Sequence, residues 1–531
     1  MATPHSFACV AKRYAERGLG CPLAKEHDLC PVVRSVATCT GLLAASVLRL
    51  CCRLETVVVL AATLESQLQP TPSPGNDAPV RALDDLEQIF HDAEKPRERH
   101  LIGAEAEKFG VDARTLEPIP YEGPSSILAI FERLEKRYGW SPVSESNGSP
   151  VIALERGHAS ITLEPGAQLE LSGAPWPDVH AIRREFVEHF AELAGISSEL
   201  GLRWWSVGFH PTAQPAKAPW VPKQRYAVMW EYLPTRGRRG RDMMQRTSTV
   251  QANFDYSSEE DAMRKLAVMV KLAPVFQAVC ANAPFAEGRV SALKSERLDV
   301  WLHMDPSRSG LLERLWSTER PRYRDYVEWA LDAGMFFIKR GDRLVLNTGQ
   351  TFRDFLAHGF EGERATQGDW VRHLATLFPD ARLKTTLEVR TCDALPDELT
   401  MAVPALFTGL LYDDAALAEV EEIAASVSFE AAMRSRAEVP RSGLSGQLGS
   451  RPIRAVAERV LEIARGGLSR RQCRNEQGED ESVYLRPLIA LVAAGLTPAD
   501  HIRGSREPGS RIDADALAPL EVVRPDRASG R

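Results

Sequence analysis

Four short segments place acidic, amide and basic side chains at every second position, the spacing that gathers them on one face of a β-strand. In residues 102–109 (IGAEAEKF), Glu105 and Glu107 share a face, roughly 7 Å apart along an extended chain. In residues 160–172 (SITLEPGAQLELS) the odd positions are Ile161, Leu163, Pro165, Ala167, Leu169 and Leu171. The even ones include Thr162, Glu164, Gln168, Glu170 and Ser172. Pro165 and Gly166 are expected to bend or bulge this strand. Residues 246–255 (RTSTVQANFD) set Thr247, Thr249, Gln251, Asn253 and Asp255 against Val250, Ala252 and Phe254. Residues 384–393 (KTTLEVRTCD) set Lys384, Thr386, Glu388 and Arg390 against Leu387 and Val389.

Any one of these strands is explained by an antiparallel sheet with one solvated side. Four in one chain point to a shared site. If the wet faces converge, Glu105, Glu107, Glu164, Glu170 and Glu388 meet, and their repulsion raises their pKa values unless cations intervene. Carboxylates without His or Cys favour a hard cation such as Mg²⁺ over zinc. Such an ion keeps waters and binds substrate phosphates, and Arg390 and Lys384 on the same face would neutralise a phosphoryl group in transfer. The pattern therefore predicts Mg²⁺–nucleotide chemistry on an antiparallel sheet.

The elements that must position these residues belong to a chain of 531 residues, beyond the usual single-core limit of about 250–300. One elaborated domain or two lobes are expected. The composition is 44% hydrophobic and 26% charged, which argues against a mostly disordered or fibrous chain. With 65 basic and 72 acidic residues, a net charge of −7 gives no global reason to expect nucleic-acid binding; the run RGRRGR at 236–241 reads as a solvated loop. No apolar stretch approaches the roughly 20 residues of a membrane span, so no membrane association and a cytoplasmic protein are expected. Six of nine cysteines lie within the first 52 residues and match no zinc spacing. Residues 67–78 (QLQPTPSPGNDA) read as a linker, making residues 1–78 a disordered extension and linker. Residues 79–503 are then the catalytic domain, and 504–531 a disordered tail rich in Arg, Asp, Pro and Gly. Helical patterns start at Leu83 and cover 178–200, 258–279 and 415–428, alternating irregularly with strands, which suggests an α+β fold. No GxGxxG or GxxxxGK[ST] motif is present, so neither a Rossmann fold nor a P-loop is supported.

Together the segments resemble the glutamate–cysteine ligase family, in the plant-type branch also found in bacteria. The motifs are IGAEAEKFG (102–110), ITLEPGAQLELSGAP (161–175), VPKQRYAVM (221–229), DMMQRTSTVQANFDYSSE (242–259) and ANAPFAEG (281–288). KSERLDVW (294–301), TFRDFL (351–356), LFPDARLKTTLEVRTCD (377–393) and PALFTGLLYDD (404–414) follow in family order. The resemblance implies a glutamine-synthetase-like fold, a curved antiparallel sheet ringed by helices with the site on its concave face. It implies that ATP phosphorylates the L-glutamate γ-carboxylate and that the L-cysteine amine displaces the phosphate, the first step of glutathione synthesis.

By the same resemblance Glu105, Glu107, Glu164, Glu170 and Glu388 are the Mg²⁺ carboxylates. Gln168, Gln251 and Asn253 line the nucleotide cavity, and Arg390, with Glu388 and Lys384, faces the phosphate. Arg297 would take a substrate carboxylate, Trp301 would wall that pocket, and Arg246, Thr247 and Thr249 would contact substrate. Ala106 stands where the family often has histidine, Ala167 replaces a usual glycine, and Asn347 occupies the place of a plant regulatory cysteine. The alternatives are a ligase of this fold using another amine or serving another thiol pathway, and a non-catalytic Mg–nucleotide-binding homologue.

Overall fold

The computed structural model describes residues 78–341 and 343–523. The expected N-terminal extension, its cysteines and nearly all of the linker lie outside the described residues. The alternating segments assemble into one sheet of nine strands: β1 (Ile102–Asp112), β2 (Ser141–Ser144), β3 (Val151–Arg156), β4 (Ala159–Leu163), β5 (Leu169–Ser172), β6 (Leu202–Trp205), β7 (Val250–Phe254), β8 (Ala381–Leu383) and β9 (Leu387–Val389). Their order is β8-β9-β7-β1-β5-β4-β3-β2, and β6 pairs with the second half of β1. Every pairing in this sheet is antiparallel. With helices covering its apolar side, the architecture is α+β.

The dry face is fixed by the residues opposite the polar set. Ala104, Ala106, Ile161, Leu163, Leu169, Leu171, Val250, Ala252, Phe254, Leu383, Leu387 and Val389 are all buried. The helix Ala402–Leu411, buried along its whole length, packs behind β7 and β1, with Phe407 6.4 Å from Phe254 between ring centroids. It lies so close to the helix Ile453–Arg471 that a Cβ on Gly409 would sit 2.2 Å from the Ala464 carbonyl oxygen. The helix Val179–Leu200 packs against β1 from further along. Asp178 caps its start by accepting from the Ala181 amide at 2.8 Å, and Gly201, at φ 67°, ends it in the left-handed region.

Several expectations are corrected. Residues 160–172 form a hairpin, not one bent strand. Pro165 and Gly166 reverse the chain, the Ala167 amide donates to the Glu164 carbonyl at 2.9 Å, and Ala167 adopts φ 62°. That conformation favours glycine. The hairpin still keeps the even residues on one face, because Thr162 pairs with Glu170 and Ser160 with Ser172. Of residues 246–255 only Val250–Phe254 is strand, since Arg246 ends the helix Gly240–Arg246. Lys384 lies in the turn between β8 and β9. The helical stretch 258–279 divides at Leu272 into Glu259–Lys271 and Ala273–Val279, where Pro274 opens the second helix. The tail from Gly504 is folded as far as Val523. Leu517, Leu520, Val522 and Val523 are buried, and Leu517 and Leu520 join Phe109, Val111, Trp205 and Val207 in a second apolar cluster. The Ser206 amide donates to the Leu520 carbonyl at 2.9 Å, and the Val522 amide to the Trp204 carbonyl at 3.0 Å. Reading the tail by its charged and Pro/Gly content overlooked this short apolar run. No single described helix is long and apolar enough to cross a membrane.

Candidate active site

Strand register brings the four wet segments together. Glu107 pairs with Glu170, and Glu105 pairs with Ser172 on one side and Gln251 on the other. Asn253 pairs with Glu388, and Glu388 with Arg382. Residues directly opposite each other on antiparallel strands share a face, so one polar row crosses the sheet. Above it lies a cavity of about 480 Å³. Glu105, Glu107, Glu164, Glu170, Gln168, Thr247, Thr249, Gln251, Arg297, Trp301, Lys384, Glu388 and Arg390 all line it.

The charge is divided into two poles. At one, burial and neighbouring carboxylates push Glu105 up to about 7, with Glu170 and Glu388 the repelling charges. Burial, Glu164 and Glu170 raise Glu107 well above the usual carboxylate range, and burial and Glu164 raise Glu170. Asn253 donates to Glu105 at 2.7 Å, the Thr249 amide donates to Glu107 at 3.1 Å, and the Ser172 hydroxyl donates to Glu170. At the other pole stands Glu388, 1% exposed. Burial alone would raise its pKa, but Arg382, Lys384 and Arg390 hold it well below the usual range. Arg382 Nη2 donates to both carboxylate oxygens at 2.7 and 2.8 Å, its Nε donates at 2.9 Å, and Lys384 Nζ lies at 3.1 Å. Arg390 donates to Glu388 as well, and to Gln251 Oε1 at 2.7 Å. Glu388, expected among the metal carboxylates, thus has both oxygens engaged by cations.

Two further expected residues do not line the cavity. Arg246, at the end of its helix, turns its guanidinium to Asp242 one helical turn back, and to Glu287 at 3.0 Å. Asn253 acts from beside the cavity, orienting Glu105. Arg297 is buried, bonded to the Arg390 carbonyl at 2.9 Å and to Asp393 at 3.4 Å. Trp301 forms a wall with Phe378, ring centroids 5.9 Å apart, and its indole N–H has no partner among the described residues.

The structure adds residues that the strand pattern missed. Arg382 has the same parity as Glu388 but lies two positions before the segment read as a strand. Lys223, Arg225 and Tyr226 line the cavity beside Glu164 and Glu170. Lys223 donates to the Leu163 carbonyl at 2.7 Å, and burial and Arg225 lower its pKa to about 8. Arg225 donates to the Tyr226 hydroxyl at 3.3 Å; among the described residues neither cation has an ion-pair partner. They belong to VPKQRY, where the two basic residues stand two apart but no apolar residues alternate with them to mark a strand. The RGRRGR arginines are engaged elsewhere: Arg239 with Asp242, Glu296 and Asp299, Arg236 with Asp305, and Arg241 over the Trp230 ring.

The carboxylate pole offers oxygen donors only, as a hard cation requires. The raised pKa values of Glu105, Glu107 and Glu170 suit such an ion. Among the described residues, however, no three acidic, His or Cys side chains are gathered closely enough to hold a metal by themselves. Cations and carboxylates around one cavity suit a polyanion carried with a divalent ion.

Residues 101–515 match the model of glutamate–cysteine ligase family 2. The chain is 38% identical over 411 residues to the chloroplastic glutamate–cysteine ligase B of Oryza sativa subsp. japonica, covering 77% of this chain and 80% of that protein. It is 37% identical over 411 residues to the chloroplastic glutamate–cysteine ligase of Arabidopsis thaliana, covering 77% and 76%. A solved glutamate–cysteine ligase from Francisella tularensis, in complex with AMP, aligns with a TM-score of 0.46 and 11% identity over 81% of this chain and 92% of that one. The expectation of a cytoplasmic location is overturned by the plant relatives, which are named as chloroplastic proteins.

Proposed function

Since the chain belongs to glutamate–cysteine ligase family 2, we propose that the wet face of its sheet carries out that family's reaction with the residues described above. The activity is ATP-dependent synthesis of γ-glutamylcysteine from glutamate and cysteine. A carboxylate is a poor acyl donor at neutral pH, so it must first be activated. A γ-carboxylate oxygen of glutamate attacks the γ-phosphorus of ATP, giving γ-glutamyl phosphate and ADP. The cysteine amine then attacks the acyl carbon, phosphate leaves with the bridging oxygen, and the nitrogen sheds a proton. Neither step needs a protein nucleophile, so the chain's work is positioning and charge neutralisation.

The observation that supports this reading is that the wet face gathers Glu105, Glu107, Glu164 and Glu170 around one cavity with the cations Lys223, Arg225, Lys384 and Arg390. Lys223 and Arg225, without ion pairs among the described residues, are available to phosphate oxygens beside the carboxylates. Arg390 and Lys384 add positive charge to the same cavity, with Glu388 fixing their positions. Glu105, Glu107, Glu164 and Glu170 would hold Mg²⁺, whose coordination the nucleotide phosphates and water complete. When bound, the ion neutralises charge on the β- and γ-phosphates. Glu388 is left out of that set because its oxygens are occupied.

ADP release measured with the amine varied tests the proposal. Turnover with L-glutamate and Mg–ATP should require L-cysteine. Much faster turnover with another amine would favour a different ligase of this fold, and Mg–ATP binding without turnover under any amine would overturn the catalytic reading.

A further inference from the structure

The outermost hairpin of the sheet, β2–β3, reaches the cavity through a segment that no alternating pattern or motif marks. Register pairs Ser144 with Val151 and Val143 with Ala153, so Ile152 has no partner on β2. A bulge of this kind re-aims a side chain, and Ile152 lines the cavity. The tip closes on itself: the Ser149 amide donates to the Ser146 carbonyl at 3.1 Å, the Ser146 amide donates to the Ser149 hydroxyl at 3.0 Å, and Gly148 takes φ 80°. Glu145, half-buried, stands between β2 and this tip and lines the same cavity. Its Oε2 accepts from the Gln224 amide at 3.0 Å.

Gln224 is the first residue of the helix Gln224–Tyr232. The first N–H groups of a helix have no partner within it, and the residue just before the helix usually accepts from one of them, as Ser, Thr, Asp or Asn. That place is held here by Lys223, whose side chain makes no cap. It donates instead to the Leu163 carbonyl at 2.7 Å and lines the cavity. The acceptor for the helix start therefore comes from Glu145, 79 positions earlier. A local rule broken at one residue and made good by a distant one marks a position kept for function. Charge adds to the cap: burial and Arg225 lower the Lys223 pKa, and Glu164, Glu170 and Glu145 oppose them. Glu145 thus holds the helix start in place and sets a negative charge beside its lysine.

We propose that Glu145 is a positioning residue for the nucleotide phosphates, fixing the helix start so that Lys223 and Arg225 keep their places in the cavity. Its effect is exerted through those two cations. The proposal rests on the ligase reading above, in which both of them take phosphate oxygens.

The test reads Mg–ATP affinity in the full-length enzyme, as KM from ADP release and as Kd from calorimetry without the amino acids. Glu145→Ala should raise both at least about fivefold, the ratio that matches one lost cap. The KM values of L-glutamate and L-cysteine and the Mg²⁺ requirement should stay within about twofold. Glu145→Gln, which keeps a carbonyl oxygen for the Gln224 amide, should recover most of the loss. On an Arg225→Met background Glu145→Ala should weaken Mg–ATP by a smaller factor than it does alone, because one of the two cations it positions is gone. Equal weakening of all three substrates, a lowered melting temperature with unchanged nucleotide affinity, or full multiplication of the two effects would overturn the proposal. So would a raised Mg²⁺ requirement in Glu145→Gln, which would make Glu145 a metal carboxylate. If Glu145→Ala does not fold, Glu145→Asp, which draws the acceptor back by one methylene, gives the same comparison. A wild-type enzyme that makes no γ-glutamylcysteine would refute the ligase reading, and the calorimetric comparison would still decide the role of Glu145.

Discussion

Replacing Glu388 with glutamine tests the cation pole where its geometry is most demanding. The side chain keeps its size, but one negative charge disappears from among Arg382, Lys384 and Arg390. Arg382, 9% exposed, currently spans both oxygens of Glu388 at 2.7 and 2.8 Å. After the substitution it would face an amide N–H₂ where it now meets a carboxylate oxygen. Removing one member of a buried ion pair costs about 3–5 kcal/mol, because the other charge is left uncompensated. Against a total stability of roughly 5–15 kcal/mol that is a large fraction, read as a lowered urea midpoint with little change in slope. Turnover should also fall at least about a hundredfold, the scale of losing one aligned charge-stabilising contact. The cause can be isolated with Arg382→Met on the same background. If stranded positive charge is responsible, the double variant should be about 1–3 kcal/mol more stable than the two single losses predict. A cost below about 1 kcal/mol for Glu388→Gln, or strict additivity in the double variant, would refute the reasoning.

Four further outcomes are expected. Glu105, raised to about 7 from 4.5, keeps its proton in the folded protein where the unfolded chain has lost it. The contribution of Glu105 to metal-free stability should therefore be lost as pH rises from about 4.5 to about 7; the difference in urea midpoint between the unaltered protein and Glu105→Gln, followed across this range, provides the check, since other titrating groups cancel in that difference. Gly166→Ala would set a Cβ 2.2 Å from the Gln245 carbonyl oxygen, so thermal unfolding should show a loss of about 1–3 kcal/mol together with reduced activity. Ending the chain before Ala514 removes buried Leu517, Leu520, Val522 and Val523, each contributing about 1.5–3 kcal/mol; soluble yield and melting temperature should drop sharply. Arg390→Lys keeps the charge but loses the guanidinium whose Nη1 reaches both Glu388 and Gln251 and whose planar array of N–H groups suits phosphate oxygens, so ADP release should fall while the fold, followed by circular dichroism, is retained.

What the sequence made legible follows from its period. Alternation of side chains put Glu105 with Glu107, and Gln168 with Glu170, on a common face, and the register of β1, β5, β7 and β9 brings those faces together. The hairpin at Pro165–Gly166 was not legible as a reversal, yet its even-to-even pairing left the grouping intact. Residues that reach the cavity without belonging to a strand were missed. Lys223 and Arg225, two apart, stand at the start of a helix, and no apolar residues alternate with them to mark a wet face. Arg246 shows the opposite error, since it was read as the first residue of a strand but closes a helix. There its side chain meets Asp242 four residues back, which turns it from the cavity. Charge alone could not tell a carboxylate that awaits a cation from one already holding three. Glu105 and Glu388 look alike in sequence, and only the placement of Arg382 and Lys384 separates them. The folded tail was hidden for a related reason: four apolar residues within 517–523 gain their meaning from Trp204 and Trp205, some three hundred positions earlier.

The phosphoryl-transfer account is tested most directly by following oxygen. L-glutamate carrying ¹⁸O in both γ-carboxylate positions is turned over with ATP, Mg²⁺ and L-cysteine, and the released phosphate is examined by mass spectrometry or ³¹P NMR. A γ-glutamyl phosphate formed in this cavity predicts one ¹⁸O atom in each phosphate released. Phosphate that carries no label, with γ-glutamylcysteine formed in equal amount, would contradict it.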